Sequence, residues 1–165
     1  MRLETNLKTI KHLAEEREDE NWDFRAYLKR HTDGLDERVH RIHGEVAAQI
    51  DCTQCGNCCE SLRTALTDAD TVRLAVRLGM STDAFRGEFH DKDEPGAHMI
   101  MGAPCPFLKD KRCTVYDDRP EECRDYPHLH KEEFSTRLMG VINNYEMCPI
   151  VFNTYERLKE EVWPR

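Results

Sequence analysis

The chain has 165 residues, which fits one domain with a short appendage, and eight of these residues are cysteine. Charged residues make up 34% and hydrophobic residues 39%, so the core is small, and small cores usually need a metal ion, disulfides or a partner. The net charge of -8, without a basic stripe, argues against general nucleic-acid binding.

The apolar content also bears on the cellular compartment. The first residues, Met1-Arg2-Leu3-Glu4, have no apolar core of the kind that a signal peptide needs. No run of about 18 apolar residues follows, so neither a transmembrane helix nor a membrane partner is expected. We therefore expect a cytoplasmic protein, in which thiols stay reduced. Eight cysteines in such a compartment indicate metal ligands or redox groups rather than disulfides.

The first fifty residues are predicted to be helical. A weak apolar stripe predicts a first helix within residues 1–20, and Asn21 is placed to cap a second, short helix. After a break near Gly34, apolar residues recur every three or four positions, which predicts an amphipathic helix that leads directly to the first cysteine. These apolar residues are Leu35, Val39, Ile42, Val46 and Ile50.

Two helices and a loop are predicted next. The segment Thr67-Asp68-Ala69-Asp70 resembles a capping box, and Gly79 is placed to end the helix that follows it. Ser81 or Thr82 is placed to cap a further short helix. Residues 91–104 are rich in Asp, Gly and Pro and predict a loop.

The second half of the chain predicts a hairpin and three helices. Residues 109–112 lie between two apolar, cysteine-bearing runs and indicate the tip of a small hairpin or paired knuckle. Helices are predicted to begin at Pro120, to span residues 134–145, and to open at Asn153. Because strand content is minimal, the predicted fold class is mainly α: a small helical domain with a short hairpin or knuckle, organised around a cysteine-rich metal centre.

Four of the cysteines lie in one short run, Cys52-Thr53-Gln54-Cys55-Gly56-Asn57-Cys58-Cys59. Thiolates separated by two residues can converge on one metal ion, because the intervening turn folds back and points its amides at the sulfurs. Gly56 fits this turn, since glycine takes a positive φ at little cost. Neighbouring side chains usually diverge, so we expect Cys58 and Cys59 to face different sites. The run therefore favours two centres or one multinuclear cluster.

The other four cysteines are Cys105, Cys113, Cys123 and Cys148. Eight thiolates suffice for two tetrahedral sites, or for one four-cysteine iron–sulfur cluster and a second site. One division has a partial precedent, because the first three cysteines of the run and a distant Cys-Pro resemble the ligands of bacterial ferredoxins, although the ferredoxin run continues with three spacer residues rather than an immediate Cys59. That division leaves a second set of four: Cys59, Cys105, Cys113 and Cys123. The sequence leaves the other divisions open.

A buried centre of this kind needs compensation for its negative charge. Thiolates away from water require N–H donors and nearby cations. Cys123 would also gain from the start of the helix after Pro120, which lowers a thiol pKa. Arg119, in a tight joint before Pro120, is expected to make a structural contact. The basic residues around these cysteines are Lys109, Lys111, Arg112, Arg119 and Arg124.

The motifs together resemble a known family. They are Cys52-x2-Cys55-Gly56-x-Cys58-Cys59, Pro104-Cys105-Pro106-Phe107-Leu108, Cys113-x-Val115-Tyr116-x2-Arg119-Pro120-x2-Cys123-Arg124 and Cys148-Pro149. Over about residues 50–150 the chain resembles the YkgJ-like cysteine-cluster family, whose members are described as zinc- or iron-chelating CxxCxxCC domains. The resemblance implies a metal-chelating module without a settled reaction. Such motifs often carry Gly at the hairpin tip, so here either Asp110 takes the left-handed conformation or the turn is wider.

We therefore predict a metal-binding protein whose cofactor is zinc or iron, with a 4Fe-4S cluster among the alternatives, and whose centre is structural or serves in metal handling. One alternative is an iron–sulfur electron-transfer protein that meets a protein partner through its acidic surface. Another is an enzyme of the methyl-transfer or oxidoreductase type, since a flagellin lysine N-methylase carries a similar pattern. No catalytic residue is identified, and enzymatic activity of the chain alone is not expected. The predicted division is an N-terminal helical segment at 1–50, the metal-chelating domain at 51–150, and a C-terminal helix at 151–165 that is part of the same domain.

Histidine is the competing ligand type. His90, His98, His128 and His130 lie near the second group of cysteines, but the thiolates form a complete ligand set without them. His40 and His43 lie on or beside the apolar stripe of the helix before Cys52, where a packing or surface role is expected.

Overall fold

A computed structural model describes residues 2–91 and 98–164 of the chain. Over these residues the fold is mainly helical with one two-stranded antiparallel hairpin, which confirms the predicted fold class. None of the helices in these ranges combines the length and the apolar content that crossing a membrane requires. The chain divides into two compact units, Met1–Asp51 with Pro127–Arg165, and Cys52–Tyr126.

The described helices and strands follow one another in this order: α1 (Leu7–Glu16), α2 (Glu18–Leu28), α3 (Leu35–Ala47), α4 (Asn57–Ser61), α5 (Asp68–Leu78), α6 (Thr82–Phe89), β1 (Leu108–Lys109), β2 (Arg112–Cys113), α7 (Glu121–Asp125), α8 (Leu138–Tyr145) and α9 (Pro149–Val162).

The first unit is built on α9, which packs against α1, α3 and α8. The apolar stripe of α3 is buried as predicted, and the helix begins directly after Gly34, whose φ is +63°. The Phe24 ring of α2 lies 5.0 Å from the Tyr155 ring. Lys159 of α9 is also buried, and its Nζ lies 2.9 Å from a Glu20 carboxylate oxygen and 2.8 Å from Glu156 Oε1. The buried cation is therefore neutralised by two carboxylates.

Two predicted helix boundaries are wrong. Asn21 does not cap a helix, because α2 begins at Glu18 and Asn21 is buried within it. The acidic residues Glu18, Asp19 and Glu20 occupy the first turn of α2, where negative charge complements the positive end of the helix. The last helix begins at Pro149 rather than at Asn153. Proline suits a first helical position because its missing N–H would have no partner there.

In the second unit, α5 packs against α6. The predicted capping box is present: the Asp70 amide donates to Thr67 Oγ1 at 3.0 Å, and the Thr67 amide donates to Asp70 Oδ2 at 2.9 Å. Gly79, with a φ of +67°, ends α5, and Ser81 caps α6. The apolar residues Val72, Val76 and Leu78 of α5 are exposed, and the core of this unit consists of Leu66, Leu74, Ala75, Phe85, Ile100, Phe107 and Val115.

The predicted loop at 91–104 lies partly outside the described residues. At its described end, Met99 and Ile100 form single antiparallel bridges with Ala65 and His90. These two bridges tie the chain just before the second group of cysteines to the segments that flank α5 and α6.

The predicted hairpin is confirmed, and its tip is a tight turn. Leu108 pairs with Cys113 and Lys109 with Arg112, so the loop contains two residues. Both Asp110 and Lys111 are left-handed, with φ values of +50° and +61°. Two consecutive positive φ values match the twist of the flanking strands, but they suit Asn, Asp or Gly better than Lys.

Replacing Lys111 with Gly should therefore stabilise the protein. We expect a gain of about 0.5–1 kcal/mol, because a glycine carries no Cβ strain at positive φ. Asp110→Gly is the matched control and should gain less, since Asp tolerates this conformation. Urea unfolding followed by circular dichroism measures both variants. A larger gain for Asp110→Gly than for Lys111→Gly would contradict this explanation.

Candidate metal centre

All eight cysteines lie in the described part of the chain, and all are thiols. Seven of them belong to the second unit, and Cys148 belongs to the first. Cys148 is buried directly before α9, and its carbonyl accepts a hydrogen bond from the Phe152 amide at 2.9 Å. Among the described residues, no three side chains of His, Cys, Asp or Glu form a preformed group that could hold a metal ion. The ligand role of the eight cysteines stays a prediction.

The first run of cysteines folds back on itself. Residues Cys52–Gln54 form a 3₁₀ turn, and the Cys52 carbonyl accepts hydrogen bonds from the amides of Cys55 at 3.2 Å and Gly56 at 3.4 Å. The turn packs against β2, and α4 begins directly after Gly56. The run therefore lies beside the strand that carries Cys113.

Gly56 is required for two separate reasons. Its φ is +65°, a conformation that strains residues with a side chain. A Cβ built at this position would lie 2.7 Å from the carbonyl oxygen of Lys111 and 3.3 Å from its carbonyl carbon. The absence of a side chain at Gly56 thus lets the first cysteine run approach the backbone at the hairpin tip.

Four thiols from separate segments come within electrostatic range of one another. Cys59 lies in α4, Cys105 precedes β1, Cys113 lies in β2 and Cys123 lies in α7. The Cys105 amide donates to the Cys59 carbonyl at 2.8 Å, which joins two of these segments directly. We call these four cysteines the second-unit cysteine set. They are also the four cysteines that the ferredoxin-like division of the sequence leaves for a second site.

Backbone amides donate hydrogen bonds to two sulfurs of this set. The Phe107 amide donates to the Cys105 sulfur, and the Val115 amide donates to the Cys113 sulfur. Both donors lie two residues after the cysteine that they serve. Such N–H donors disperse the negative charge of a thiolate, as the surroundings of a metal-bound sulfur must.

Two side chains complete the polar surroundings. The Thr64 hydroxyl lies 3.4 Å from the Cys123 sulfur, and donation from this hydroxyl favours the thiolate. Arg119 makes the expected structural contact: its guanidinium lies 3.8 Å from the centre of the Tyr116 ring and donates to the Tyr116 carbonyl at 2.7 Å. Its positive charge also favours the thiolates of Cys113 and Cys123.

Burial dominates the pKa of three thiols in the set, Cys105, Cys113 and Cys123. Burial raises the pKa of Cys105 to about 11, the Phe107 amide opposes this rise, and the neighbouring sulfurs add to it. Burial also raises the pKa of Cys113 and of Cys123 against the opposing hydrogen bonds. Ionising all four half-buried thiols would therefore require a nearby cation, and thiolate ligands with such donors suit both zinc and iron.

Cys58 and Cys59 differ from the expectation that adjacent thiols diverge. A hydrogen bond between their side chains lowers the pKa of Cys59 to about 7, while burial opposes the change. Neighbouring positions of a helix usually diverge, so this contact between two residues of α4 is unusual, and the assignment of the two thiols to different sites stays a prediction. The thiol of Cys58 therefore lies beside the second-unit cysteine set, to which Cys59 belongs.

A carboxylate that sequence reasoning assigned only to a helix start also positions this set. Asp70 Oδ1 accepts a hydrogen bond from the Glu121 amide at 3.2 Å, at the first residue of α7. Arg73, which also contacts Asp70, donates to the carbonyls of Asp118 at 3.2 Å and Arg119 at 3.0 Å. The pair thus holds the segment that leads to Cys123. The three-residue spacing of Asp70 and Arg73 indicates that they pair, but not that they contact α7.

Comparison with known proteins gives one match. A family model described as "Putative zinc- or iron-chelating domain", named CxxCxxCC, matches residues 51–140. The match includes the first cysteine run and the second-unit cysteine set, and Cys148 lies beyond it. It confirms the resemblance drawn from the cysteine motifs. No curated protein and no solved structure matches the chain.

Gly56→Ala should destabilise the protein more than Gly79→Ala does. Both glycines have nearly the same positive φ, but a Cβ at position 79 would meet no atom within 4 Å. We expect Gly79→Ala to cost about 1 kcal/mol, and Gly56→Ala about 2–4 kcal/mol because the Lys111 carbonyl must also move. Urea unfolding gives both values. Equal losses would show that the contact with Lys111 has no energetic role.

Asp70→Asn should destabilise the protein in a pH-dependent way. Burial would raise the pKa of Asp70, but hydrogen bonds from Thr67, Arg73 and Glu121 outweigh it, and the pKa lies below its ordinary value. The carboxylate therefore stabilises the fold fully above its unfolded pKa of about 4, and this contribution is lost as the pH falls through the lower folded value. We expect a loss of about 1–3 kcal/mol at neutral pH that shrinks in acid.

The control for this prediction is Asp68→Asn, two residues earlier in the same helix. The Asp68 side chain is 76% exposed, so its loss should stay below about 0.5 kcal/mol. Urea unfolding of metal-free, reduced protein at about pH 7 and about pH 3 measures both variants. An effect of Asp70→Asn that does not depend on pH would contradict the assignment.

Proposed function

Because the chain belongs to the CxxCxxCC family of zinc- or iron-chelating domains, we propose that it binds a zinc or iron ion through the second-unit cysteine set. The observation that supports this proposal is the combination of four mutually interacting thiols with amide donors from Phe107 and Val115. Thiolates in such surroundings are ligands that both metals accept.

The protein's own residues suggest a structural role for the ion. The four cysteines come from α4, the segment before β1, β2 and α7, so that one ion would cross-link four segments. A zinc ion with four thiolate ligands keeps no open position and supplies folding free energy rather than catalysis. The core of the second unit is small, and a metal cross-link would compensate for the limited apolar burial.

An iron–sulfur centre is the second candidate, and one contact favours it. The hydrogen bond between the side chains of Cys58 and Cys59 brings a fifth thiol, that of Cys58, next to the second-unit cysteine set. Cys52 and Cys55 belong to the same run, so additional thiolates stand in the same unit for a multinuclear cluster. The role of Cys148 stays a prediction from the sequence. Either centre suits a reducing compartment such as the cytoplasm, since its ligands must remain thiolates.

Replacing one cysteine of the set should remove metal from the protein. We expect Cys113→Ser and Cys123→Ser each to lower the metal bound per chain by one ion, or by one cluster, and to lower the free energy of unfolding by several kcal/mol. The matched control is Thr114→Ser, which keeps the hydroxyl that donates to the Phe107 carbonyl at 3.0 Å. Elemental analysis of protein purified without oxygen and thermal unfolding give the two readouts.

The same preparation separates the two candidates. Protein with an iron–sulfur centre is brown and loses its colour on chelation, whereas zinc protein is colourless. Unchanged metal content in both cysteine variants would disprove the assignment of the second-unit cysteine set, whichever metal is present.

A further inference from the structure

Three histidines of the first unit, His40, His43 and His130, come near one another. His40 and His43 lie three residues apart on α3 and therefore share one side of the helix. The rings of His43 and His130 are stacked, with centroids 6.2 Å apart and planes inclined by 28°. His40 Nε2 lies 3.3 Å from the carbonyl of Lys131, the residue after His130. His43 interacts with both other histidines, and the three residues form one partly exposed patch.

The segment that carries His130 is held firmly against α3. The Asp36 carboxylate of α3 accepts hydrogen bonds from the amides of Glu133 at 2.7 Å and Phe134 at 2.9 Å. The Arg137 guanidinium donates to the carbonyl of His128 at 2.6 Å and also contacts the carbonyls of Lys131 and Glu132. Side chains on both sides of His130 are buried, namely Leu129 and Phe134. The position of His130 opposite His43 is therefore imposed by the fold of the segment.

The protonation state of His43 suits a ligand role. Burial lowers the pKa of His43, and the neighbouring His130 and His40 lower it further. His43 is consequently neutral at physiological pH, and the neutral imidazole is the form that binds transition metals.

We propose that His43 and His130, with His40 as a third ligand, form a second metal site that takes a divalent transition-metal ion such as zinc. With Zn–N bonds of about 2 Å, two imidazoles on one tetrahedral ion have centroids about 5 Å apart. The His43 and His130 rings stand 6.2 Å apart, so side-chain rotations that bring them about 1 Å closer would allow shared coordination. His40 would exchange its contact with the Lys131 carbonyl for the ion.

Such a site would differ chemically from the second-unit cysteine set. Three imidazoles are neutral ligands and leave a fourth position of a tetrahedral ion open to water or an incoming group. The patch is partly exposed, since His130 itself is an exposed residue. An ion held there would exchange readily, whereas an ion held by four half-buried thiolates would not. The site does not depend on the proposal for the cysteines.

Cobalt distinguishes the two kinds of site in the intact chain. Cobalt bound to thiolate absorbs strongly in the near ultraviolet through sulfur-to-metal charge transfer, whereas cobalt bound to imidazole does not. We expect reduced full-length protein, titrated with Co²⁺ without oxygen, to bind a further ion that adds no charge-transfer absorption. Equilibrium dialysis counts the bound ions, and paramagnetic broadening of histidine ring signals in NMR spectra reports the ligands.

The test variants are His43→Ala and His130→Ala, with His43→Gln as a milder replacement. Each should weaken binding of the further ion about tenfold or more and leave the charge-transfer absorption unchanged. The control is His12→Ala, whose exposed side chain lies beside Glu16 on α1. Circular dichroism verifies the fold of each variant. The proposal is overturned if wild-type protein binds no ion beyond those with charge-transfer absorption, or if His43→Gln and His130→Ala bind the further ion as wild type does.

Discussion

The second unit depends on a close approach of two backbone segments at Gly56 and Lys111. A Cβ at Gly56 would lie 2.7 Å from the Lys111 carbonyl oxygen, so the first cysteine run reaches the hairpin only because this residue has no side chain. The neighbouring hydrogen bond from the Cys105 amide to the Cys59 carbonyl extends the same contact. These backbone contacts place sulfurs from distant parts of the sequence in one small region of a unit with little apolar core.

Electrostatics then decides what such a region can hold. Burial and the neighbouring sulfurs both disfavour ionisation of a thiol in this region, as the raised pKa of Cys105 illustrates. The surroundings oppose this resistance through the amides of Phe107 and Val115, the Thr64 hydroxyl and the Arg119 guanidinium. Burial disfavours the thiolate form of these cysteines, whereas the donors favour it. A bound divalent cation would stabilise the thiolates in spite of their burial. The histidines of the first unit offer the contrasting chemistry of neutral ligands at a partly exposed surface.

A helix-capping residue also connects segments that are distant in the sequence. Asp70 belongs to the capping box of α5, and the same carboxylate accepts a hydrogen bond from the first residue of α7. One side chain therefore contacts the first turns of two helices, and the hydrogen bond to Glu121 spans 51 residues of the sequence. Arg73 adds two further hydrogen bonds to the same segment. A feature that looks local in the sequence thus positions Cys123.

Local signals in the sequence determined the helical class, the capping box of α5, the hairpin, and the family to which the cysteine motifs belong, because each depends on residues close together in the chain. They placed Asn21 and the start of α9 wrongly, since burial and Pro149 outweighed the local capping preference. Tertiary structure alone decided that residues 127–165 join residues 1–51 in one unit. It also decided which cysteines approach one another and that His130 lies opposite His43, because contacts between distant segments follow from packing and backbone hydrogen bonds that no spacing encodes.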